Sequence, residues 1–146
     1  MSMKELIAKA VEARKMAYAP YSHFQVGACL KAKNGQIFQG CNIENSSYPA
    51  TNCAERTAIF KAVSEGITEF ECIVIVGGKE GEKLDICPPC GICRQVMAEF
   101  CNPEKFQIIL AESEEKYETY LLKELLPLSF GGNLLKLSTA NNQTRP

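Results

Sequence analysis

The sequence has no apolar run long enough to span a bilayer, which excludes a transmembrane helix. It has no long basic stretch, and 16 basic against 17 acidic residues leave a formal net charge of -1. That balance argues against a nucleic-acid backbone as the main partner and for a small substrate or another protein. The first residues, MSMKELIAKAVEARK, lack the continuous apolar core and small-residue cleavage site of a secretory signal. A cytoplasmic location is expected. There is one histidine, His23, and it stands in no ligand pattern, so it reads as structural or exposed. No internal repeat or low-complexity linker divides the 146 residues. They are expected to form one domain, 1–146, with a loose tail after about residue 132. Apolar residues make up 46% of the chain, enough for a core that needs no covalent staples.

Cysteine, by contrast, is plentiful, with eight residues. In a secreted chain these would suggest a disulfide framework. Without a signal sequence, metal ligands and buried small apolar groups are the better readings. Cys29, Cys41 and Cys72 lie in strand-like runs and Cys101 ends a helical pattern, so these four read as packing. Cys53, Cys87, Cys90 and Cys93 remain.

Ser2 and Glu5 form a capping-box pattern, after which Leu6, Ala10, Ala13 and Ala17 recur at helical spacing, widened by Ile7, Val11 and Tyr18, until Pro20. Phe24, Val26, Ala28 and Leu30 alternate as in a half-buried strand. Asn34-Gly35 signals a hairpin in which both turn positions favour positive φ, and a second strand follows over about Gln36 to Ile43. After a polar loop, a helix is expected from near Cys53 to a C-cap at Gly66, burying Ala58, Ile59, Ala62 and Val63. CIVIV (72–76) and FQIIL (106–110) read as strands covered on both faces. Between them a helix starts after Pro89, with Ile92, Val96 and Phe100 facing inward. Tyr117 and Thr119 alternate on a short last strand, and LLKELLP is a helical turn. The order α-β-β-α-β-α-β-β contains two consecutive crossovers, whose common handedness puts both helices on one face. The expected fold is α/β: a three-layer α/β/α sandwich on a five-stranded mixed sheet.

Two of these helices start beyond the carboxyl ends of strands in one sheet, so their N-termini should meet at one edge. That brings Cys53 together with Cys90 and Cys93, which are three apart and share a helix face. Helix N-termini favour thiolate over thiol. Three thiolates at one point call for a soft divalent ion, most simply Zn2+, and three protein ligands leave a fourth position open, as in catalytic sites. Cys87 keeps alternatives open. C-P-P-C and C-G-I-C overlap, so all four thiols could close a structural zinc in a non-catalytic interaction module, or Cys87 and Cys90 could form a redox pair.

Glu55 weighs for catalysis. It stands two residues after Cys53, and a carboxylate at that helix end can accept and pass on a proton from a water at the open position. Arg56, three residues after Cys53, can reach back to the sulfurs and offset part of their charge.

TNCAERTAI followed by PPCGICRQ resembles the C-A-E and P-C-x-x-C-R-Q signature of the small, homotetrameric, zinc-dependent cytidine deaminases. YSHFQVGA, NIENSSYP and LLPLSFG resemble three further motifs of that family, in family order over nearly the whole chain. The resemblance implies one Zn2+ per subunit on Cys53, Cys90 and Cys93, and Glu55 shuttling protons during hydrolytic deamination of cytidine and deoxycytidine. It implies that Phe24 packs on the pyrimidine, that Asn42 and Glu44 bind the ribose 3′-hydroxyl, and that the Ala54 N–H meets the pyrimidine carbonyl. Phe130 resembles an aromatic inserted into a neighbour's site, and Tyr48 an interface residue beside it. These assignments agree with the residue types: a neutral nucleoside needs no cluster of phosphate-binding arginines, and an aromatic face suits a base. The chain departs from the family pattern at Gln25, Pro88 and Cys87. Deamination of a cytosine-containing antibiotic stands as a second enzymatic reading.

Overall fold

The computed structural model describes residues 1–135. Helix α1 (Met3–Arg14) opens on the expected capping box: Ser2 Oγ accepts from the Glu5 N–H, and the Glu5 carboxylate accepts from the Ser2 N–H, each at 3.2 Å. Strands β1 (Phe24–Ala32) and β2 (Ile37–Cys41) form the hairpin. Its turn differs from the expectation. Gly35 alone takes positive φ (93°) while Asn34 does not, because the connection has four residues rather than two. Helix α2 (Ala54–Ser64) ends before Gly66, whose φ of 86° is the left-handed cap that glycine adopts without strain. Then follow β3 (Phe70–Lys79), α3 (Gly91–Phe100), β4 (Gln107–Ala111), β5 (Tyr117–Leu121) and the short α4 (Leu122–Leu125).

The sheet order is β2-β1-β3-β4-β5, with β3 and β4 parallel and the other pairs antiparallel. The two-residue period of β3 divides the core. Ile73 and Ile75 pack beneath Ala54, Ala58, Ile59 and Ala62 of α2 and Cys93 and Met97 of α3. Cys72, Val74 and Val76 pack beneath Leu6, Ile7 and Ala10 of α1. This is the expected three-layer arrangement, with α2 and α3 together on one face.

Three local expectations are corrected. β1 is buried on both faces, since α1 covers Cys29; its central place in the sheet was hidden by an alternating pattern. On α3 the buried positions are Cys93 and Met97, while Ile92 is 62% exposed. Val96 and Phe100 do pack against the core as expected, on the same face as Cys93 and Met97, and the helix begins at Gly91 with Cys90 as N-cap. α1 ends at Arg14 and leaves Tyr18 exposed. Past residue 132, Gly132–Leu135 forms a 3-10 turn, and the rest of the expected loose tail lies outside the described residues. Among the described residues, no helix is long and apolar enough to cross a membrane.

Two glycines let the helices seat. A Cβ on Gly27 would lie 2.1 Å from the Ala10 carbonyl oxygen of α1, and one on Gly40 would lie 2.3 Å from the Ala54 carbonyl oxygen of α2. The second contact fixes the start of α2, where the candidate ligands begin.

Candidate metal centre and active site

Cys53 is the N-cap of α2 and Cys90 the N-cap of α3, with Cys93 one turn further on. Cys53 Sγ lies 3.7 Å from Cys90 Sγ, which lies 3.6 Å from Cys93 Sγ. All three sulfurs fall within 4.8 Å of one another. Sulfurs about 2.3 Å from a tetrahedral zinc stand about 3.8 Å apart, so the thiols are already at the spacing zinc requires. No fourth ligand closes the set: among the described residues, the group comprises these three alone. Cys87 stays outside it. Its Cβ and Sγ pack 2.9 Å from where a Gly77 Cβ would stand, beside the Phe24 ring, and burial first, then the charges of Glu55 and Cys53, push its thiol up to about 12. The four-thiolate zinc therefore loses its geometric basis.

The Cys53 thiol is pulled down to about 5, first by hydrogen bonding from Cys93, with further help from Arg56 and Cys90 against the opposing effect of burial. Cys93 moves the opposite way because it is the donor to that thiolate. Arg56 Nη2 donates to Cys53 Sγ at 3.3 Å, where its charge offsets the thiolate. Its Nε is the single buried side-chain nitrogen or oxygen without a partner among the described residues. Glu55 is 4% exposed, and burial, reinforced by the Cys53 charge, pushes its carboxyl up to about 7. The first-turn N–H groups of α2, Ala54 among them, have no acceptor within the helix.

The remaining site residues come from the strand ends and the polar loop. Asn42 is buried, and its side chain continues the β-ladder: Oδ1 accepts from the Val26 N–H at 2.9 Å, and Nδ2 donates to the Phe24 carbonyl at 2.8 Å. One N–H and one lone pair of that amide remain for a ligand. Glu44 accepts from the N–H groups of Tyr21 (3.0 Å) and Ser22 (3.1 Å) and from the Ser22 hydroxyl (2.5 Å). The hydroxyl bond chiefly holds its pKa below the usual carboxylate range. Tyr21, Ser22, Glu44, Tyr48 and Thr51 line a cleft of about 250 Å³. Tyr21 and Tyr48 meet edge to face, with ring centroids 5.9 Å apart. A larger cleft of about 400 Å³ beside Met16, Gly40 and Lys61 includes none of the site residues. Phe130 is 56% exposed, its carbonyl held at 2.9 Å by Gln95 Nε2. His23 is exposed and faces Glu80 at 3.6 Å.

Residues 1–109 match the model of the cytidine and deoxycytidylate deaminase zinc-binding region. The chain belongs to this deaminase family. A cytidine deaminase of Sporosarcina psychrophila is 48% identical over 130 residues, covering 89% of this chain and 92% of that one. One from Halalkalibacterium halodurans is 47% identical, covering 89% and 95%. The crystal structure of cytidine deaminase from Burkholderia pseudomallei superimposes with a TM-score of 0.80 at 43% identity, covering 89% of this chain and all of that one. The five-stranded mixed sheet and the zinc-type thiol set are thus those of the family.

The structure also brings in residues that spacing did not single out. Ser22 and Tyr21 hold Glu44, and Gly77 makes room for Cys87 against Phe24. Gly77 sits in a strand whose apolar run gave no sign of a site, and only the cross-strand register, Val26 opposite Gly77, sets it near Phe24.

Proposed function

We propose that this protein hydrolyses the C4 amine of cytidine and deoxycytidine, giving uridine or deoxyuridine and ammonia. The observation that carries this reading is a three-thiol group at zinc spacing beside a buried carboxylate, Glu55. When bound, zinc supplies a Lewis acid that makes water nucleophilic near neutral pH. Cys53, Cys90 and Cys93 would hold one Zn2+ per subunit. Glu55 takes one proton from the attacking water and passes it to ring N3; it then takes the second proton from the hydroxyl now on C4 and gives it to the departing amine, so that the C4–N bond breaks as the C4 carbonyl forms. Phe24 packs on the pyrimidine, and the Ala54 N–H orients its carbonyl. Asn42 offers its remaining amide hydrogen to the ribose 3′-hydroxyl, and Glu44, kept ionised by Ser22, accepts from that hydroxyl.

The cleft favours a nucleoside over a nucleotide. Its lining has one carboxylate, Glu44, and no lysine or arginine, whereas a phosphate calls for cations or a row of N–H donors. Assembly into a homotetramer with shared sites is supported by the exposure of Tyr48 (71%) and Phe130 (56%), large apolar side chains that a neighbour would cover. The role is pyrimidine salvage in the cytoplasm. The decisive assay follows the ultraviolet absorbance of cytidine. It should fall with enzyme and stop falling after zinc chelation. Zinc-loaded protein inert towards cytidine and deoxycytidine would overturn the proposal.

A further inference from the structure

The residues that follow Cys93 on α3 reach to a distant part of the chain. Arg94 Nε donates to the Pro89 carbonyl at 2.8 Å, next to the ligand Cys90, and its Nη1 donates to the Leu125 carbonyl at 2.6 Å, at the end of α4. Gln95 Nε2 donates to the Phe130 carbonyl at 2.9 Å. Among the described residues, little else bonds to the chain between these two anchors. Pro127 has no N–H to give. Leu128 is fully exposed with φ of 53°, a left-handed conformation uncommon for a bulky side chain. From Pro127 to Phe130, the Gln95 bond is the one hydrogen bond to the segment among the described residues. It grips the backbone and leaves the Phe130 ring outward.

We propose that Gln95, with Arg94, is a positioning residue: it locks the Leu125–Phe130 segment onto the helix that carries Cys93, and so sets where the Phe130 ring is presented. This rests on the reading of Phe130 as an aromatic that completes a neighbouring site. The coupling has a physical use. The same rigid helix places a metal ligand of its own site and, through the Leu125–Phe130 segment, the closing aromatic of another.

The test compares Gln95→Glu, Gln95→Lys and Phe130→Ala in the zinc-loaded enzyme, reading KM, kcat and zinc content. Glutamate is isosteric but cannot donate to the carbonyl, and lysine keeps a donor. Gln95→Glu should raise the KM for cytidine about fivefold, the size of one hydrogen bond, with kcat and zinc unchanged. Gln95→Lys should recover most of that loss, and Gln95→Glu should add nothing in a Phe130→Ala background. If Phe130→Ala raises KM while Gln95→Glu does not, the tether is wrong and the reading of Phe130 survives. If Phe130→Ala leaves KM unchanged, that reading fails and the tether falls with it. Zinc loss in Gln95→Glu, or effects that add in the double variant, would show Gln95 acting on the fold instead and overturn the proposal.

Discussion

Glu55 and Cys87 lie close to the same three sulfurs and face opposite fates. Glu55 is buried beside a thiolate, where losing the proton is hard enough to bring its pKa up to about 7. A group that gives and takes protons with similar ease suits repeated transfer. Glu55→Ala should keep its zinc, measured by metal analysis, and lose turnover by at least about 100-fold, the low end for a proton-transfer residue. Substantial residual turnover in the loaded variant would remove Glu55 from the role. Cys87 is a thiol held neutral by burial and packed on Gly77. Zinc content should therefore fall in Cys90→Ala and Cys93→Ala and stay whole in Cys87→Ala; metal loss in the last would return Cys87 to the ligand set. The residue types were legible in the sequence. The Cys90–Cys93 pair was legible as one helix face; whether Cys87 competes with it was not, because the spacing is equal in both overlapping C-x-x-C pairs.

Elements decide how well the ligands are held. α2 begins at Ala54, directly after Cys53, and it lies against β2 through Gly40. A methyl at Gly40 meets the Ala54 carbonyl oxygen at 2.3 Å and the Ala58 nitrogen at 2.6 Å, both backbone atoms that cannot turn aside. Gly40→Ala should cost about 1–3 kcal/mol in chemical denaturation, as overpacking does, and should weaken zinc retention because the first turn of α2 must move. Gly91→Ala is the control. Nothing lies within 4 Å of its added carbon, so the change should stay within about 0.5 kcal/mol. Equal losses in both would mean that α2 tolerates displacement. Element types and order could be read from periodicity. The edge of the buried face of α3 could not: Val96 and Phe100 pack inward as their spacing suggests, but Ile92, one turn before Val96, is exposed and Cys93 takes the buried place.

At the scale of the whole molecule, the proposed sharing of sites between subunits predicts that defects are complementary. Glu55→Ala leaves Phe130 intact, and Phe130→Ala leaves Glu55 intact. Refolding the two variants together should produce some sites with both residues and raise activity at low substrate above the sum of the separate preparations. No gain, with mixing verified by mass, would show that each chain builds its own site. By itself, the sequence determined the alternation of helices and strands, the α/β class and the donor types, because periodicity and chemistry are local properties. It also placed the ligand-bearing helix starts to within a residue or two, from the change of periodicity and from Pro89. Only the tertiary structure decided that Cys87 stands aside, that the Asn42 amide is mostly spent on β1, and that Gln95 holds Phe130. Each depends on the register of strands or the rotation of a helix. A single residue of shift there moves a side chain to another face, at no cost visible in the local sequence.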